Sequence, residues 1–328
     1  LSNALEAGAA SGLILLDAGP SGQGWSTSEA QLTCPQLAAY NKHPELRDHP
    51  DVVYARMADR EALVKGSLVH VGTAHHYTAV MYRQNGWGNS TPGVAPISSY
   101  YGPVEAVAAA AENRERELVE TFGDRNPYAG SWRKHVTLCQ DALLAYMAFW
   151  ANERMRILAV EHRVEVPISG IAFDGTEVST VHSARIDLIA EEAGRAYMID
   201  SKSFSALWAD KRKRAGFALS GQFMGHNLIG RHLYGDQYGG VRINMIGLNP
   251  KSKPAERFVR FEPAPAPFAN YEFEQQIIDR RALMSALARS GRNPWRYPKA
   301  LSETDGCMSR YGACSYRSLC SWGPRTGR

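Results

Sequence analysis

The spacing of apolar residues changes along this chain. Over about 133–157, Val136, Cys139, Leu143, Tyr146, Met147 and Trp150 recur at helical spacing and fall on one face. Further helices are predicted over 61–83, through "VEAVAAAAENRERELVETF", over about 216–234 and over roughly 270–290. A first helix starts within "STSEAQLTCPQLAAY" (26–40), where a Ser/Thr cap and an acidic first turn precede the apolar positions. Past that long helix the pattern turns to that of strands. "ILAVEHRVEVPISGIAF", a "DGT" turn, "VSTVHSARIDLIAE" and "RAYMIDSKS" read as successive strands, and "GVRINMIGL" and "FVRFEP" follow the 216–234 helix. Helices, then a mixed sheet, then helices packed over it predict an α/β domain. Residues 1–25 read as a poorly specified lead-in, and 84–157 as a helical insertion within a single domain spanning 26–328.

One hairpin in the sheet region concentrates acidic chemistry. Ala193-Gly194 reads as the tip between "ARIDLIAEE" and "RAYMIDSKS". Residues equidistant from that tip face each other, which sets Asp187 opposite Asp200 with Cβ atoms ~5 Å apart. Side chains alternate with period two, so Lys202 joins the same face. Like charges held opposite one another destabilise a strand pair unless something positive lies between them. Mg2+ or Mn2+ takes hard oxygen ligands, and two carboxylates with a backbone carbonyl would suit either ion. Lys202 would then stand beside a scissile phosphate, an arrangement suited to phosphodiester hydrolysis. The competing reading is a surface hairpin with scattered charges. Against it, "YMID" and "RIDLIA" are apolar enough for buried strands, and buried carboxylates need partners. Glu161 and Glu165 on the preceding strand could add an acidic ligand, but surface positions are the plainer expectation.

Composition narrows the classes. The 328 residues have the make-up of an ordinary globular protein, and a net charge of +4 permits a nucleic-acid partner without arguing for one. No apolar run reaches spanning length; "ALLAYMAFWA" at 142–151 has only ten residues, so no membrane association is expected. The first residues lack the basic and apolar regions of a signal peptide, and a cytoplasmic protein of phage or bacterial habit is the expectation. Five cysteines are present, and Cys307, Cys314 and Cys320 crowd the end of the chain. In a cytosolic chain this favours a metal or cluster site over disulfides, and spacing alone does not separate zinc from iron. Cys139, on the apolar helix face, is expected in the core.

Taken in order, the motifs resemble those of the PD-(D/E)XK nuclease superfamily, in its RecB-like branch of phage exonucleases and CRISPR-adaptation nucleases with an iron-sulfur cluster. Asp187, Asp200, Ser201 and Lys202 match the superfamily signature. "KGSLVH" is similar to that branch's G-x-x-x-H helix, which makes His70 a candidate metal ligand or active-site histidine. "SGQFMGHNLIG" resembles the Q-x-x-x-Y helix, with Gln222 matched and His226 where tyrosine is usual. "STSEAQLTCPQLAAY" supplies Cys34, and "CMSRYGACSYRSLC" resembles the C-terminal cysteine trio.

The resemblance implies a restriction-endonuclease-like mixed sheet flanked by helices, with a cluster-binding tail at 303–323. It implies a metal-dependent exonuclease on single-stranded or end-bearing DNA, working with recombination, repair or CRISPR-adaptation proteins. Asp187, Asp200, the Ser201 carbonyl and His70 would hold Mg2+ or Mn2+, Lys202 would orient or activate the water, and Gln222 would position the phosphate. A structural 4Fe-4S cluster would sit on Cys34, Cys307, Cys314 and Cys320, clamping the termini. His226 is a candidate substrate-binding residue. The basic run Lys211, Arg212, Lys213 and Arg214 could track a DNA backbone, and Trp208 could stack a base. His75 and His76 sit well round the helix from His70 and are expected in solvent or packing. Two rival readings are a DNA-binding or assembly subunit whose hydrolysis is accessory, and a zinc-stabilised interaction protein.

Overall fold

The computed structural model describes residues 34–57, 61–87, 100–125, 132–204, 217–218, 220–263, 267–291, 293, 308–309, 312–314 and 316. Its helices are α1 (Pro35–Lys42), α2 (Pro44–Arg47), α3 (Pro50–Met57), α4 (Glu61–Asn85), α5 (Pro103–Phe122), α6 (Arg133–Phe149), α7 (Gly221–Tyr234), α8 (Pro254–Arg257) and α9 (Pro267–Arg289). Its strands are β1 (Arg156–Ile171), β2 (Glu177–Glu192), β3 (Arg195–Phe204), β4 (Tyr238–Gly247), β5 (Phe258–Phe261), β6 (Met308–Ser309) and β7 (Gly312–Ala313). Strands β1 to β5 form one sheet in sequence order, and β6 and β7 form a second. The five-stranded sheet is mixed. β2 and β3 run antiparallel, β3 and β4 parallel through the crossover α7, and β4 and β5 antiparallel. This is the restriction-endonuclease-like α/β architecture implied by the sequence motifs.

The chain divides into two compact units, one holding Arg60–Val164 and Ala184–Ala266, the other Pro20–Asp59, Glu165–Ser183 and Pro267–Arg328. In the first, α4, α5 and α6 pack on one another, and α4 reaches β3. Phe223 of α7 is buried against Val241, Ile243 and Met245 of β4, which anchors that helix to the sheet. In the second unit, Tyr40 of α1, Leu46, Val52 and Tyr316 form a core against which Cys314 and Leu287 pack.

The buried face of α6 is His135, Cys139, Ala142, Leu143 and Tyr146. Cys139 is therefore a core residue as expected, and burial pushes its thiol up to about 12. The helix stops at Phe149, well short of the expected 157. No glycine or proline marks that end. Trp150 instead breaks from helical geometry and lies under the Arg260 guanidinium, 4.1 Å from ring centre to Cζ. Among the described residues, no helix is long and apolar enough to cross a membrane.

Candidate active site

The hairpin between β2 and β3 turns at Ala193 and Gly194, with φ of 50° and 74°. Two left-handed residues in a two-residue loop match the right-handed twist of the flanking strands. The ladder then pairs Glu192 with Arg195 and runs to Leu188 with Ile199, the register expected from the sequence. One step beyond, Asp187 Oδ2 accepts the backbone N–H of Ser201 at 2.8 Å. The acid is thus tied to the peptide that follows Asp200.

Asp200 is 1% exposed, and Lys202, on the same side of β3, brings its Nζ to 2.6 Å from Asp200 Oδ2. Gln222, one residue from the Phe223 anchor on α7, joins the two. Its Nε2 donates to Asp200 Oδ1 at 2.6 Å and its Oε1 accepts from Lys202 Nζ at 3.2 Å. From α4, His70 Nδ1 stands 3.4 Å from Asp187 Oδ2.

A residue assigned to the surface belongs here instead. Glu161 on β1 is 6% exposed, and its carboxylate joins His70 and Asp187 in a group whose ligand atoms all lie within 4.8 Å of one another. Burial above all, and then the charge of Asp187, hold the Glu161 carboxyl well above the usual carboxylate range; Arg185, at 3.0 Å, pulls the other way. The burial pattern marks its place. Buried positions on β1 fall on odd numbers at Ile157 and Ala159, run on through Val160, and fall on even numbers at Val164, Val166 and Ile168. A change of parity marks a residue with non-strand backbone, as a bulge does. Glu161 is that residue, with φ of 49°. Glu165 is exposed, as expected.

The donor set suits a hard divalent ion. Carboxylate oxygens of Glu161 and Asp187 converge with one imidazole nitrogen of His70. A profile described as the PD-(D/E)XK nuclease superfamily matches residues 25–321. The chain belongs to that superfamily. Comparison with curated proteins gives no match. PD-(D/E)XK proteins are typically nucleases that use divalent metals such as Mg2+, which fits both the sheet and the acidic cluster.

Other residues singled out in this PD-(D/E)XK chain fall in varied places. His226 is 3% exposed, next to Phe223, and burial lowers its pKa against the pull of Asp200 and Asp187. His75 is buried, not solvated, and its Nδ1 lies 3.0 Å from the Tyr101 carbonyl oxygen. His76 packs edge-on to Tyr77. Cys34 precedes α1 and is buried, and Cys314 packs on the Tyr40 and Tyr316 core within the same unit. Cys307 and Cys320 lie outside the described residues, as do Trp208, Lys211, Arg212, Lys213 and Arg214.

Proposed function

We propose that this chain hydrolyses DNA phosphodiesters, as an exonuclease on single-stranded or end-bearing DNA. The observation that carries the reading is the linked Asp200, Lys202 and Gln222 side chains, with Asp187 tied to the Ser201 N–H between the first two. Asp187, Asp200, Glu161 and His70, with the Ser201 carbonyl, would hold Mg2+ or Mn2+. The ion would supply Lewis-acid stabilisation of charge on the phosphoryl group.

The chain's own groups do the remainder. Lys202 keeps its ammonium next to the carboxylates, about a third exposed, where it can orient the attacking water and donate to the phosphate. Gln222 fixes the Lys202 rotamer through its oxygen and Asp200 through its nitrogen, so both reactive groups are set before substrate arrives. The exonuclease preference and the DNA substrate rest on the ordered resemblance of the motifs.

The same resemblance supports a 4Fe-4S cluster on Cys34, Cys307, Cys314 and Cys320. In the second unit, the Tyr316 hydroxyl donates to Asn41 Oδ1 at 2.7 Å, and its ring lies 5.0 Å from that of Tyr40. Tyr316 therefore packs on the helix that Cys34 precedes, as a cluster shared by Cys34 and Cys314 would require.

The test is end-labelled single- and double-stranded DNA incubated with Mn2+ or EDTA. Cleavage by the wild type that falls about a hundredfold or more in Lys202→Ala supports the reading. Equal cleavage by both proteins removes Lys202 from the mechanism. No cleavage by either favours a DNA-binding or assembly role.

A further inference from the structure

Asp200 and Lys202 point to the face of the sheet that α7 covers, so Ser201 between them points to the other. There it begins a polar row. Register sets Ser201 beside Asn244 on β4, and Asn244 beside Arg260 on β5. Asn244 is wholly buried. Its Oδ1 accepts from Arg260 Nε at 3.2 Å, and its Nδ2 donates to Ser201 Oγ at 3.2 Å and to the Tyr146 hydroxyl at 2.9 Å.

The directions of these bonds are forced. A guanidinium only donates, so the amide oxygen must face Arg260 and the amide nitrogen must face Ser201. Arg260 also donates from Nη2 to the hydroxyls of Tyr77 at 2.6 Å and Tyr146 at 2.8 Å, and from Nη1 to Glu153. Tyr146 thus accepts twice, from Asn244 and from Arg260, and its own proton goes to Tyr77 Oη, 2.5 Å away. Tyr77 passes its proton to Glu153 Oε2 at 3.1 Å. Reversing the amide would set its N–H groups against the guanidinium, so the network has one low-energy arrangement. Ser201 is consequently held on both sides, by its N–H on Asp187 and by its Oγ on Asn244.

We propose that Asn244 and Arg260 are positioning residues that hold Ser201 Oγ and thereby orient the Asp200-Ser201-Lys202 peptides for metal binding. The proposal rests on the metal-dependent reading of the site. It adds that the site is set from the far face of the sheet, by residues that touch neither metal nor substrate.

Mn2+ binding, followed by the electron paramagnetic resonance signal of the free ion, tests this directly, alongside cleavage of labelled DNA across an Mn2+ titration. Ser201→Ala keeps the backbone carbonyl and removes only Oγ. It is expected to weaken Mn2+ binding about tenfold, as loss of an orienting partner does. Asn244→Leu is expected to weaken binding to the same degree. The double variant is expected to be no weaker than either single one, because both cut the same bond.

Unchanged Mn2+ affinity in folded Ser201→Ala overturns the proposal, as do fully additive effects in the double variant. A wild type that takes up no Mn2+ overturns it too. If the wild type binds Mn2+ without cutting DNA, the hydrolase reading falls, and the affinity comparison still decides the positioning role. Should Asn244→Leu fail to fold, Ser201→Ala decides alone, since it removes a single atom.

Discussion

Gln222 is the amide that couples Asp200 to Lys202: one end donates to the carboxylate at 2.6 Å while the other accepts from the ammonium at 3.2 Å. Because Lys202 also stands 2.6 Å from Asp200 directly, removing the amide leaves the two charges together but free to rotate. Gln222→Ala is expected to lower the cleavage rate about tenfold or more and to weaken Mn2+ binding, since the amide orients the Asp200 carboxylate. Paired rate and Mn2+ titrations check this. Unchanged Mn2+ binding with a lowered rate would confine Gln222 to placing Lys202.

Arg260 and Glu153 form a buried ion pair, with side chains 10% and 12% exposed. Removing one partner strands a charge at a site only about a tenth exposed. Arg260→Ala is expected to cost about 3–5 kcal/mol in urea unfolding, and Glu153→Gln less, since the amide still accepts from the guanidinium. Equal and small losses in both would show that the pair is solvated in practice.

His76 predicts an acid limb in stability. Burial, aided by the nearby charges of Arg83 and Arg260, lowers its pKa from 6.5 to about 4. The unfolded chain binds this proton first, so the contribution is complete above 6.5 and is lost as pH falls toward 4. His76→Gln is expected to flatten the fall in melting temperature between pH 7 and pH 5 relative to wild type. A parallel fall in both proteins would assign the acid limb to other groups.

For the thiol site, anaerobically purified wild type is expected to be brown and to contain iron. Cys34→Ser and Cys314→Ser are each expected to lose the colour and the iron. One zinc per chain with no iron would replace the cluster with a structural zinc site.

The hairpin was legible because its period of two, its acidic positions and its Ala-Gly tip are local, and local patterns fix register. Helix α7 was legible for the same reason, and so were most element boundaries. The end of α6 was not, because Trp150 and Glu153 leave the helix to meet Arg260, a residue more than a hundred positions away. Glu161 escaped because an acidic residue on a strand looks like a surface residue, and the unbroken apolar run Ile157-Leu158-Ala159-Val160 before it does not say which face it takes. Asn244 and Arg260 escaped because their roles exist only in the β3–β4–β5 register, which no motif announces.

The two-residue tip at Ala193-Gly194 makes the hairpin a counting device. Shift the pairing of the two arms by one residue and every side chain on one arm changes sides, carrying one acid away from the other. The alignment of the two aspartates is therefore set by sheet geometry before chemistry has any say.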